Sequence, residues 1–313
     1  MFDFIPAETA QTSIQPGRHN TLPQSEEFLR ALRATGQDPL VLERMNNTTV
    51  LRQRFWGRID VAMVNRATVH KPLRLLEMLQ EEGLRRTPVI LSPETPTPEL
   101  ARHGAVPLMG PASVARLNLA PCPDARRAAL HQKWRNRLKH GESQSLRLTR
   151  QNMPVDPTHW LFAADQAKQT ERGYRSWPVG LTLAYAQANP GTAKLFQAFE
   201  GKEPVAAILV LRHGEHATYH LSHSSDRGKQ LSAHNLLMWE AMSWLSAQGC
   251  KTLDLGVINT EDAPGLARFK LGTGADLHRL GGTWIFWPPM GRLLAPLARL
   301  DRRMMTAGTA GQI

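Results

Sequence analysis

Leu253-Asp254-Leu255-Gly256 and, past the loop 257–263, Pro264-Gly265-Leu266-Ala267-Arg268-Phe269-Lys270-Leu271-Gly272-Thr273-Gly274-Ala275 form one passage in the last quarter of the chain. The alternating apolar run that stops at a glycine predicts a strand over 251–255. Proline followed by apolar residues at helical spacing predicts a short helix over 263–271. Upstream, a strand over 216–223 leads through Ser224-Ser225-Asp226-Arg227-Gly228-Lys229-Gln230-Leu231-Ser232-Ala233 into a long helix over 232–248, which Ser232 would cap and Gly249 would end. Strand and helix therefore alternate through this region, as they do in an α/β unit.

The same reading extends outward. Helices fit 156–171 and 178–188, and a hairpin follows with strands 192–200 and 204–212 about the turn Gly201-Lys202-Glu203-Pro204. Final strands lie around 276–287 and stop at Pro288-Pro289. In the first half, Ser25 opens a helix that Gly36 closes, and extended segments occupy 39–44, 49–55 and 59–65. An amphipathic helix covers 70–83, with Leu73, Leu76, Met78 and Leu79 turned inward, and strands follow at 87–91, 105–109 and 113–119. Both halves run in the same order of elements. They predict an α/β (α+β) protein of two lobes with mixed sheets flanked by helices: 1–150, 151–290, and a basic helix with tail, 291–313, packed back on the first lobe.

Composition sets limits. The 313 residues are 42% hydrophobic and 21% charged, enough for a large core and unlike a disordered chain. Cys122 and Cys250 stand far apart, which excludes a disulfide framework and suits a reducing, cytoplasmic setting. No apolar run approaches the roughly 20 residues of a membrane helix, and the N-terminus lacks the layout of a signal peptide. Lys and Arg number 38 against 27 Asp and Glu, a formal net charge of +11. Such an excess favours polyanionic partners: a nucleotide-bearing cofactor, RNA or an anionic membrane. Much of it falls on a predicted helix over 125–140, where Leu130, Trp134 and Leu138 make a narrow apolar stripe. Arg126, Arg127, Lys133, Arg135, Arg137 and Lys139 are spread around it, with no acid between 125 and 141.

The loop 224–233 carries chemistry. A strand that enters a helix through Arg, Gly, Lys and Ser can cradle phosphate, because the first helical N–H groups lack partners and the helix dipole adds positive charge. Arg227, Gly228, Lys229, Gln230 and Ser232 are the residues expected at that donor site. An ordinary capped helix would look similar.

The order of cradle, helix, Asp-Leu-Gly and then Gly-Leu-Ala-Arg-Phe-Lys-Leu-Gly-Thr-Gly-Ala resembles the Fem type of GNAT-fold acyltransferase, the peptidoglycan-bridge aminoacyltransferases and their relatives. The likeness covers 190–287 and extends loosely to 125–150, where His131-Gln132-Lys133-Trp134-Arg135-Asn136-Arg137 resembles the basic, Trp-containing helix between the family's lobes. The loop lacks the Gln/Arg-x-x-Gly-x-Gly/Ala form of standard acetyl-CoA enzymes. The resemblance implies tandem GNAT-like lobes, the first degenerate, and an activated acyl group passed from acyl-CoA or aminoacyl-tRNA to a small-molecule amine by direct attack. No permanently bound cofactor is implied, contact with an anionic membrane is compatible with it, and no DNA is expected. The family lysine falls on Lys270, where a fixed cation would stabilise the oxyanion that acyl transfer develops. A lysine lying along Phe269 with its head in solvent is the plainer alternative.

His213, His216, His220 and His223 offer candidates for a general base. Alternation along a strand puts His216 and His220 on one side and His223 on the other, and no carboxylate or thiol accompanies them as a zinc set would need. His220 and His223, nearest the cradle end, are the candidates to take the amine proton. Arg172, Tyr174 and Arg175, in the charged aromatic loop 171–177, and Phe269 are the candidates to hold the acceptor; a plain helix-joining loop fits the segment as well. From another class, a noncatalytic GNAT-scaffold protein that binds nucleic acid or anionic membrane through the basic helix fits the same charges.

Overall fold

The computed structural model describes residues 21–55, 59–173 and 175–290. The expected C-terminal unit 291–313 and Tyr174 lie outside the described residues. The chain runs through α1 (Glu26–Ala34), β1 (Leu40–Leu42), β2 (Thr48–Phe55), β3 (Ile59–Asn65), α2 (Pro72–Glu81), β4 (Val89–Ser92), α3 (Glu99–Arg102), β5 (Val106–Met109) and β6 (Ser113–Asn118). It continues with α4 (Pro123–Ala129), α5 (Gln132–Glu142), β7 (Arg147–Asn152), α6 (Trp160–Arg172), α7 (Val179–Ala188), β8 (Ala193–Glu200), β9 (Glu203–His213) and β10 (His216–Ser224). The last elements are α8 (Asp226–Gln230), α9 (Ala233–Ala247), β11 (Thr252–Val257), α10 (Pro264–Gly272), β12 (Asp276–Arg279) and β13 (Thr283–Phe286).

Two mixed sheets with flanking helices result, in the orders β1-β2-β3-β4-β13-β5 and β12-β6-β11-β10-β9-β8-β7. The expected boundary at residue 150 does not follow them. β6 leaves the first sheet to pair antiparallel with β11 and β12, and β7 borders β8, so residues 113–152 belong to the second lobe. In return β13 inserts between β4 and β5, where Trp284 and Phe286 complete the first core. Even α1 serves the second lobe: Phe28, Ala31 and Leu32 are buried with Leu161, Phe162, Tyr185 and Leu209. The lobes exchange strands because each sheet edge has unpaired backbone groups that another strand satisfies.

Local readings are corrected in three places. On α2 the buried residues are Leu75, Leu76, Met78 and Leu79, while Leu73 is exposed. The basic helix is two helices, broken where His131 N–H donates to the Gly272 carbonyl at 2.9 Å in place of a helical carbonyl. Its apolar stripe is buried as read, with Leu130, Trp134 and Leu138 in the core beneath α9. Its cations, however, are not all free. Arg126 is buried and donates to the carbonyls of Leu119 and Pro121 and to Ser246 Oγ. Arg127 forms a two-pronged pair with Glu142. Lys133, Arg137 and Lys139 remain on the exposed face. Third, Ser232 does not cap the long helix. It sits in the left-handed region with φ 54° and makes no side-chain cap bond, because its hydroxyl meets His140 Nδ1 at 3.2 Å.

Candidate functional site

β10 and β11 run parallel but pair only at His216↔Thr252, Ala217↔Leu253 and Thr218↔Asp254. Beyond that, β10 bulges between Tyr219 and Leu221 against β9, and β11, paired with β6 along its length, shifts register against it between Asp254 and Val257. The C-terminal halves of the two strands are left without each other, and a gap opens in the middle of the second sheet. Openings at the C-terminal ends of parallel strands are where α/β folds hold ligands.

Lys270 closes one side of this gap. It comes from α10 and is 6% exposed, so it is not a surface lysine. Its Nζ donates to the Val257 carbonyl at 2.9 Å. Gly256 has φ 80°, and a Cβ placed there would lie 3.5 Å from Nζ, so the glycine turn brings the backbone up to the ammonium. Burial pulls the amine down to about 8, partly opposed by the Asp254 carboxylate. A second cation, Lys168 of α6, is also held below its ordinary value by burial and by Arg172. Its charge acts on Lys270, His223 and His234. Nothing in the sequence around Lys168 marks it out, since its place depends on α6 packing beside β10.

The histidines are arranged by the bulge. His220 is the extra residue, so both it and Leu221 face α6 and α7, and His223 follows on that same side. The strict alternation read from the sequence fails here for that reason. His220 packs at a tilt against Trp177 with ring centroids 4.7 Å apart, has Thr182 Oγ1 at 2.9 Å from Nε2, and is driven down to about 4 by burial. His223 lies edge-on to Trp160 and is lowered by burial and by Lys168. On the opposite face Tyr219 Oη bonds Ser222 Oγ and meets His234 Nε2 at 2.9 Å. Phe269 fills the space between Trp134 and His234, which makes it a packing link and not an exposed contact for an acceptor. Among the described residues, no group of three or more His, Cys, Asp or Glu is placed to hold a metal.

The expected cradle is a five-residue helix. Ser225 Oγ accepts from Gly228 N–H, and Ser225 itself is tied to the Val205 carbonyl. A Cβ on Gly228 would fall 2.2 Å from the Val205 oxygen, so only glycine allows this approach. Arg227 grips Glu200 and also bonds Gln230, while Lys229 pairs with Asp226. Both cations of the expected donor site are thus ion-paired within the chain. Both pairs are exposed, however, and exposed pairs exchange readily with a competing anion. Arg172 and Arg175 are exposed. Cys122 is exposed and Cys250 buried.

Asp254 has a structural role. Its Oδ1 accepts from Gly256 N–H at 2.7 Å, and its Oδ2 meets Arg66 of the first lobe. Arg66 also holds Glu94, which is shared with Arg116.

Residues 125–275, spanning α4 to α10, match the family model of the acetyltransferase (GNAT) domain. No curated protein matches the chain by sequence. Among solved structures, that of FemX superposes with a TM-score of 0.70 at 12% identity, covering 90% of this chain and 96% of that one. The C-terminal domain of a putative lysylphosphatidylglycerol synthetase from Agrobacterium fabrum gives 0.56 at 13% identity, over 90% of this chain and 93% of that one. L-PGS from Bacillus licheniformis gives 0.51 at 13%, over 92% and 99%. Gap, bulge and buried lysine thus lie inside the region, 125–275, that matches the acetyltransferase (GNAT) domain model, in a chain whose fold is similar to that of FemX.

Proposed function

We propose that the protein moves an acyl group from a coenzyme A thioester to a primary amine by direct attack, in the gap between β10 and β11. The observation that carries this is the buried Lys270 ammonium beside the parted strands. The amine nitrogen bonds to the acyl carbon, the carbonyl oxygen takes up negative charge opposite Lys270, and the thiolate departs when the carbonyl re-forms. A cation already fixed in a dry site needs no reorganisation when that charge appears. His223, neutral at pH 7 and at the mouth of the gap, takes the amine proton, and His220 orients the bulge through Thr182. The donor phosphates lie along 227–232, where they displace the exposed pairs of Arg227 and Lys229 and meet the uncapped start of α9. Arg172 and Arg175 face the acceptor. Neither cysteine serves as a nucleophile.

Aminoacyl-tRNA is the second reading. It is favoured by Lys133, Arg137 and Lys139, all exposed on α5. Single-turnover transfer from acetyl-CoA and from aminoacyl-tRNA to an amine panel, with mass spectrometry of ligand released on denaturation, separates the two. Transfer from coenzyme A thioesters that Arg227→Ala weakens supports the first reading. Transfer from charged tRNA alone, lost in Lys133→Glu/Arg137→Glu, replaces it with the second. Salt-sensitive polyanion binding with transfer from neither donor replaces both with a noncatalytic binder.

A further inference from the structure

Far from the gap, at the other end of the second sheet, three cations converge on one indole. Arg150 of β7, Lys194 of β8 and Arg212 of β9 lie 5.5, 5.6 and 5.5 Å from the centroid of Trp244 on α9. The register explains the convergence. Arg150 is opposite Phe196, two residues from Lys194, and Lys194 is opposite Val210, two residues from Arg212. The three therefore step diagonally across neighbouring strands on one face, within reach of each other. Phe196, on that face, meets Trp244 edge-on at 5.9 Å and fixes the ring.

None of the three has an acidic partner among the described residues. Lys194 bonds only the neutral Asn152 Oδ1. Arg212 reaches the Gln248 carbonyl at a long 3.5 Å, and its Nε is buried without a partner. An indole attracts a cation through its two faces, so one ring cannot offset the mutual repulsion of three. Lys194 registers that repulsion: burial, then Arg150 and Arg212, hold its amine below the ordinary value. Like charges set side by side on a sheet destabilise it, and a bound anion would reverse the sign.

We propose that Arg150, Lys194 and Arg212 form an anion site over Trp244 that takes a multiply charged phosphoryl group, a phosphate monoester or a diphosphate. A carboxylate would neutralise one charge of the three. A terminal phosphoryl group carries close to two, and its oxygens suit the planar forks of two arginines with a lysine between them. β7 is the outermost strand of its sheet, so the site opens to solvent and admits either a soluble ester or a phosphate borne on a lipid.

Inorganic pyrophosphate is the probe, titrated calorimetrically and by tryptophan fluorescence against the full chain, with chloride and acetate at matched ionic strength. Pyrophosphate should bind and raise Tm while the matched salts do not. Lys194→Gln should weaken the binding that Trp244 fluorescence reports about tenfold, and Arg150→Gln/Lys194→Gln should abolish that component. Trp244→Phe should silence the fluorescence change but leave the calorimetric signal. Lys229→Gln, in the donor loop, should leave the site intact, which separates it from any phosphate bound near the gap. The Tm of Lys194→Gln without ligand should not fall, since the substitution removes a repelling charge; that confirms a folded variant. Phosphatidylcholine vesicles with and without phosphatidic acid divide the sources: vesicle binding displaced by pyrophosphate assigns a lipid phosphate, and pyrophosphate binding alone assigns a soluble one. Equal affinity in the double variant, or equal stabilisation by chloride, would overturn the proposal.

Discussion

Arg66, just past β3 in the first lobe, meets Asp254 of β11 at 2.7 Å between Nη2 and Oδ2, and so ties the two sheets together beside the gap. The same guanidinium holds Glu94 at 2.8 Å, and Glu94 is 4% exposed. Its other carboxylate contacts are Arg116 of β6 and His278 of β12. Two cations thus face two anions in a half-dry setting, where removing one member leaves a charge uncompensated. Asp254→Asn should cost about 2–4 kcal/mol, measured by urea unfolding, with the larger share recovered in Asp254→Asn/Arg66→Met. An Asp254→Asn protein as stable as wild type would show that the strut carries no stability.

Lys270→Ala should lower kcat by roughly 10²–10³, the range for losing one oxyanion donor, with donor affinity nearly unchanged. Lys270→Arg should restore part of the rate, since the guanidinium places its charge differently. Phe269→Ala is the packing control. It should cost about 2 kcal/mol by opening space between Trp134 and His234, and affect the rate only through that loss.

The Lys270 amine titrates at about 8 in the folded chain. Only its protonated form stabilises an oxyanion, so kcat should fall as pH rises through about 8. In Lys270→Arg that limb should disappear from the accessible range, because arginine stays charged. A limb that persists unchanged in Lys270→Arg would belong to another group.

Burial holds His220 and His234 near about 4 and His213 near about 3, against 6.5 when exposed. Each is neutral in the folded state and takes up a proton on unfolding once the pH is below 6.5. The unfolded state therefore binds more protons, and stability must fall with pH. It should be fully present above 6.5 and decline from there toward about 4. His220→Gln should flatten that decline by close to one proton in a plot of unfolding free energy against pH. An unchanged slope would mean that His220 is already charged in the native protein.

Alternation, helix spacing and punctuation by glycine and proline were enough to read the order of elements, the stripe of Leu130, Trp134 and Leu138, and a Phe-Lys helix after Asp-Leu-Gly. These are properties of a residue and its neighbours within a turn or two, and backbone periodicity fixes them locally. Tertiary structure decided whatever depends on distant partners. The bulge at His220 turned His223 to the side opposite the one alternation assigns. Burial beside Val257 made Lys270 a desolvated cation, and Glu200 and Asp226 claimed the loop cations that had looked free. Lys168 joined the site only because α6 packs beside β10, and β6 and β13 crossed between lobes only because each sheet had an edge to fill. Charge and desolvation act through space, and a linear sequence records neither until the chain has closed on itself.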